Sequence, residues 1–144
     1  MAQRVIIDTN VFLSVINREE PHFSPSKELL DLVDAGKVKA VVSVITIAEL
    51  STGFYIMGDE RGRREFLLHV MSSEDYKVAP VDVGVADSAG RIRAETGLRL
   101  PDSIIVSSGL KERVDLIVTH DEGFKVAGEY IASATPEEMV QDLQ

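Results

Sequence analysis

The 144-residue chain is 44% hydrophobic and 27% charged, the balance of a globular domain, and its length suits a single domain over residues 1–144 with a buried core. No apolar run approaches the roughly 18 residues that cross a bilayer, MAQRVIIDTN runs into an aspartate unlike a signal peptide, and no cysteine is present, so we expect a cytoplasmic chain with no membrane partner. The formal net charge of −9 counts against nucleic acid, whose phosphates call for Lys and Arg, unless carboxylates converge on divalent cations that reverse the local field.

In chain order, Arg4-Val5-Ile6-Ile7 predicts a buried strand, and Asn10–Asn17 a helix with Val11, Phe12, Val15 and Ile16 at helical spacing. Ser24-Pro25-Ser26 opens a second helix, with Ser24 as N-cap and Pro25 in the first position, ending at Gly36. The β-branched run Val38–Val42 predicts strand two. Val44–Met57 is helical, Gly58-Asp59 breaks it, and another helix carries Phe66, Leu67, Val70 and Met71. Tyr76–Val81 predicts a short strand and Asp82–Thr96 a helix that stops at Gly97. Pro101-Asp102 starts a further helix; Leu116-Ile117-Val118 is strand four and Tyr130-Ile131-Ala132 a weak fifth. Thr135-Pro136-Glu137-Glu138 spells a capping box before a terminal helix. Strands alternating with helices imply a three-layer α/β/α sandwich on a mainly parallel sheet of four to five strands.

Ligands of open parallel sheets gather beyond the carboxyl ends of the strands. Asp8 follows strand one, Glu49 lies in the helix leaving strand two, Asp102 opens a helix, and Asp121 follows strand four. Each has an ordinary alternative. Asp8 and Asp102 are placed to cap helices, Asp121 to start the turn Asp121-Glu122-Gly123, and Glu49 to sit in solvent. Glu49 lies among Ile45, Ile47, Ala48 and Leu50, where a carboxylate needs a partner. Together the acids suit hard divalent cations, which take oxygen ligands and keep waters that a substrate phosphate can replace.

Four segments, in order, resemble the PIN-domain family. Val5-Ile6-Ile7-Asp8-Thr9-Asn10 resembles its opening strand and first acid, and Ser43-Val44-Ile45-Thr46-Ile47-Ala48-Glu49-Leu50 its S-x-x-T-x-A-E-L helix. Leu100-Pro101-Asp102-Ser103-Ile104-Ile105 is similar to the third-acid segment, and Thr119-His120-Asp121-Glu122-Gly123-Phe124 to the fourth. Many relatives carry a further aspartate where this chain has Gly123, so Asp121 would serve alone or with Glu122.

The resemblance implies a PIN-like nuclease domain in which Asp8, Glu49, Asp102 and Asp121 hold Mg²⁺ or Mn²⁺. Asn10 and Thr119 would orient those carboxylates or bind metal-held waters. The implied activity is endoribonuclease cleavage of single-stranded RNA by metal-activated water. A compact chain of this kind is most like VapC-type toxins of toxin–antitoxin pairs, commonly homodimeric and silenced by an antitoxin protein. The alternatives are a non-catalytic PIN-like module that binds RNA or protein, and an RNA-processing nuclease outside toxin–antitoxin systems.

Arg61, Arg63 and Arg64 form the densest basic cluster, either a route for an RNA backbone or a solvated helix start. His22, His69 and His120 share no metal-ligand spacing. Receiver-domain and haloacid-dehalogenase-type readings fit poorly: no acidic pair precedes Asp8, and Asn10 stands where the phosphatase needs a second aspartate.

Overall fold

The structure is a computed structural model and describes residues 2–143. Strands β1 (Gln3–Ile7), β2 (Val38–Ser43), β3 (Tyr76–Ala79), β4 (Leu116–Val118) and β5 (Ala132–Ala134) form one sheet. Between β1 and β2 run α1 (Thr9–Ile16) and α2 (Phe23–Asp34), and between β2 and β3 run α3 (Val44–Met57) and α4 (Glu60–Ser72). Helices α5 (Val83–Thr96) and α6 (Leu100–Lys111) connect β3 to β4, a 3-10 helix over Glu122–Ala127 connects β4 to β5, and α7 (Pro136–Leu143) follows. The order is β3-β2-β1-β4-β5 and every pairing is parallel.

Alternation along β1 divides two cores, as the strand's period of two requires. Val5 and Ile7 enter one with Phe12 of α1, Leu29 of α2, Leu50 of α3 and Met139 of α7. Ile6 enters the other with Ile92 of α5, Ile105 and Val106 of α6, and Phe124. The expected three layers are thus present. Helix α6 approaches the sheet closely at Gly109, where a Cβ would stand 3.0 Å from Ile131 Cδ1 and 3.1 Å from Ile6 Cγ2.

Three expected boundaries shift. Helix α2 begins at Phe23 rather than after a Ser24 cap, and His22 holds the cap position without a side-chain hydrogen bond. There the preceding turn supplies acceptors, Phe23 N donating to Glu19 O at 2.7 Å, so the Ser24 hydroxyl is not needed. Strand β3 stops at Ala79, because Pro80 has no N–H for the ladder. The fifth strand is Ala132–Ala134 rather than Tyr130–Ala132. Tyr130 and Ile131 instead close the end of the 3-10 helix, both donating backbone N–H to Ala127 O. The capping box at α7 forms as expected: Glu138 N donates to Thr135 Oγ1 and Thr135 N to Glu138 Oε1, each at 3.2 Å. Among the described residues no helix is long and apolar enough to cross a membrane.

From β1 the chain builds outward through β2 to β3, then crosses back to β4 on the other side of β1. The strand order therefore reverses between β1 and β4, which opens a crevice at their carboxyl ends. Asp8 N donates to Val118 O at 3.0 Å across that point.

Candidate active site

Asp8 leaves β1 in extended conformation and caps α1, its Oδ1 accepting from Thr9 N at 2.8 Å. Its Oδ2 accepts from the Thr119 hydroxyl, also at 2.8 Å. Capping and a site role are compatible here, since each carboxylate oxygen has a second lone pair. The side chain is nearly enclosed, with 5% of the residue exposed. Burial pushes the Asp8 carboxyl up to about 6; the charges of Asp102 and Glu49 push the same way, against the bonds from Thr119 and Thr9.

Thr119, just past β4, ties the crevice together. Its Oγ1 donates to Asp8 and accepts from Asp121 N at 3.0 Å and Asn10 Nδ2 at 3.3 Å. Asn10 Oδ1 in turn accepts from His120 N at 3.2 Å. These bonds fix the start of α1 against the exit of β4. Glu49, half-buried on α3, accepts at Oε1 from Thr9 Oγ1 at 2.7 Å. Thr9 has one hydroxyl proton, so Thr46, 2.9 Å away, donates to Thr9. A hydroxyl relay thus runs from α3 through Thr9 to Glu49.

Asp102 is buried in the first turn of α6, where the helix dipole favours a negative charge. Its carboxylate takes both arms of the Arg99 guanidinium, Nε at 3.1 Å and Nη2 at 3.3 Å. The Arg99 side chain is mostly exposed, and Asp102 first, then Glu49 and Asp121, raise its pKa. Arg99 is therefore the cation standing among all three of these acids. Asp121 lies exposed on the rim and caps the 3-10 helix, Oδ1 accepting from Gly123 N at 2.7 Å. A Cβ at Gly123 would meet Asp121 Oδ1 at 2.9 Å, so the glycine makes room for that return. Glu122 points its charge to Lys125 at 3.8 Å.

Asp102 and Glu49 thus both lie within electrostatic reach of Asp8, and with Asp121 they reach the same arginine, Arg99. Their ligand atoms do not close to within 4.8 Å as a trio. Among the described residues, the trio of His, Asp or Glu ligand atoms mutually within 4.8 Å is instead His22, His120 and Glu137. At the acidic crevice the donors are oxygen only, carboxylates supported by Thr and Asn side chains, the set that hard divalent cations take. Asp8 in addition is a buried carboxyl whose ionisation the bonds from Thr119 and Thr9 compensate only in part. The residues present fit Mg²⁺ or Mn²⁺.

The basic cluster sits at the start of α4 and is largely answered by its own helix. Arg61 pairs with Glu65 and Arg64 with Glu60, each at 3.0 Å, while the Arg63 guanidinium lies 4.7 Å over the Tyr55 ring. His69 meets Asp34 at 2.8 Å on the surface. Burial lowers the His120 pKa, with the His22 ring adding to the effect and Glu137 opposing it. Sequence reading missed Arg99 as a site group and the Thr9–Thr46 relay. The available signals were the i, i+3 spacing of Arg99 and Asp102, and the hydroxyl directly after Asp8.

The PIN-domain family profile matches residues 5–130. No curated protein matches the sequence. Among solved structures, similar ones include a toxin–antitoxin complex from Klebsiella pneumoniae, 21% identical with a TM-score of 0.68 over 92% of this chain and 97% of that one. FitAcB from Neisseria gonorrhoeae is 23% identical with a TM-score of 0.67 over 92% and 97%. The sarcin–ricin loop cleaving toxin VapC20 of Mycobacterium tuberculosis is 16% identical with a TM-score of 0.71 over 86% and 95%.

Proposed function

The chain belongs to the PIN-domain family, and from that premise we propose that it is a Mg²⁺- or Mn²⁺-dependent endoribonuclease, the toxin of a toxin–antitoxin pair, acting on single-stranded RNA. The observation that carries the reading is the buried Asp8 carboxyl at the strand-order reversal, its proton held up to about 6 by burial, with Asp102 and Glu49 beside it. A divalent ion bound there supplies positive charge for the phosphate and lowers the pKa of the water that attacks it. Asp8, Glu49 and Asp102 hold the ion, and Asp121 completes its surroundings from the rim. Thr119 keeps the Asp8 carboxylate oriented from one side, and Asn10 braces Thr119. Thr9 holds Glu49 from the other.

Arg99 balances Asp102 when no other cation is near and turns to a phosphate oxygen when RNA enters; its guanidinium fork matches both anions. This answers the net charge of −9: the acids are the metal's, and phosphate is met by the ion and Arg99. Arg61, Arg63 and Arg64 contribute less to RNA binding, being engaged within α4 and with Tyr55.

The antitoxin, in this reading, covers the apolar groove between α1 and α3, floored by Leu13, Ile16, Leu50 and Phe54 and edged by Ile56 and Met57. Ile56 is 81% and Met57 66% exposed, more apolar surface than a lone chain needs to show. The likeness to the toxin–antitoxin complex from Klebsiella pneumoniae supports that partner. Homodimer formation belongs to the same reading and is checked by sedimentation.

The deciding experiment incubates total RNA with the protein and Mn²⁺ and maps new 5′ ends. Cleavage at defined sites, absent with EDTA and in Asp8→Asn and Asp102→Asn, supports the nuclease. Undiminished cleavage by both variants would sink it.

A further inference from the structure

His22, His120 and Glu137 come from three separate stretches, the turn before α2, the exit of β4 and the first turn of α7. Each offers a ligand atom within 4.8 Å of the other two. The two imidazole rings have centroids 4.0 Å apart with their planes tilted by 31°, and His22 Nδ1 lies 4.0 Å from Glu137 Oε1. None of the three is a ligand in the acidic crevice.

His120 is held as a metal-ligating histidine is held. Its Nε2 lies 2.8 Å from the hydroxyl of Ser26, a fully buried residue of α2. Its Nδ1 is buried and has no hydrogen-bond partner among the described residues. A buried polar nitrogen without a partner is costly, and the fold tolerates it where a further group completes it. With the proton on Nε2 donated to Ser26, the lone pair of Nδ1 is left to ligate.

We propose that His22, His120 and Glu137 form a site for a borderline transition-metal ion, Zn²⁺ foremost, distinct from the oxygen-only crevice. Two imidazoles and one carboxylate suit Zn²⁺ and not Mg²⁺, and they leave a fourth position to water. Bonds of about 2.0–2.1 Å place tetrahedral donors about 3.4 Å apart. The His22 and Glu137 side chains are 46% and 47% exposed, so small rotations close the present spacing. The ion ties the turn before α2 and the start of α7 to the segment carrying Thr119 and Asp121. It thus braces the rim of the acidic crevice from outside.

The test is a Zn²⁺ titration of the full chain, followed by calorimetry and by the imidazole resonances of its histidines. Wild type should show a saturable event that shifts His22 and His120, leaves His69 in place and raises the melting temperature. Ser26→Ala should weaken that event about 10–100-fold, as loss of a ligand's support does. His22→Ala and Glu137→Gln, both at exposed positions, should weaken it at least as much with unchanged circular dichroism. Asp8→Asn should leave it intact while removing Mn²⁺ binding at the crevice. Zn²⁺ binding that survives His22→Ala and Glu137→Gln, or that disappears in Asp8→Asn, would overturn the proposal by assigning the ion to the crevice. Absence of saturable Zn²⁺ binding by wild type would overturn it as well.

Discussion

Asp8 keeps its carboxyl in a place that resists ionisation, and the consequence can be read as stability. Burial pushes its pKa in the folded chain up to about 6, against the 3.8 of an ordinary aspartate. Between those values the folded state holds the extra proton, so stability falls as pH rises; above about 6 the penalty is complete, on the order of 3 kcal/mol. Asp8→Asn cannot ionise. In EDTA at pH 7.5 it should be more stable than wild type by roughly 2–3 kcal/mol in urea unfolding, and the margin should vanish near pH 4. Equal stability at both pH values would contradict burial as the dominant cause. Arg99 gives a second residue-scale prediction. Because its guanidinium competes with any ion for Asp102, Arg99→Ala should tighten Mn²⁺ binding severalfold while reducing RNA affinity. Weaker Mn²⁺ binding in calorimetry would show that Arg99 positions Asp102 rather than competes for it. Where the acids fall was legible in the sequence: Asp8 and Asp121 just past strands, Asp102 at the start of α6, and Glu49 inside the helix that leaves β2. Their supports were less so: Thr9, Thr46 and Arg99 act through contacts made only once α1, α3 and α6 meet.

At the scale of elements, periodicity located the helices and the central strands, since β-branched runs such as Val38–Val42 have few other homes. It failed where local chemistry yields to tertiary context. Ala132–Ala134 has little strand propensity and is a strand because β4 offers its edge, Leu116 to Val118 pairing with Ala132 to Ala134. The more β-prone Tyr130 and Ile131 are spent on closing the 3-10 helix. The close seating of α6 at Gly109 predicts a cost for any Cβ there. Gly109→Ala must push Ile131, Ile6 and Val114 aside and should lose about 1–3 kcal/mol, despite alanine's better helix propensity. A gain in urea unfolding would mean that those side chains yield freely. Thr135→Ala removes one half of the reciprocal cap of α7 and should cost about 1 kcal/mol, with earlier amide exchange in α7 than elsewhere.

For the molecule as a whole, the net charge of −9 and the sheet order express one design. A parallel sheet whose order reverses between β1 and β4 gathers strand exits at one place, and there this chain puts Asp8 with the charges of Asp102 and Glu49 near it. In the proposed function, acidity that would repel RNA becomes the means of holding an ion that attracts it. The central claim is therefore that the crevice binds a divalent cation through Asp8. The most direct test is a calorimetric Mn²⁺ titration of wild type beside Asp8→Asn, with circular dichroism confirming that both are folded. Saturable binding by wild type that is lost in Asp8→Asn is the predicted result. No binding by wild type, or equal binding by both proteins, would contradict the claim and leave the fold without its nuclease centre.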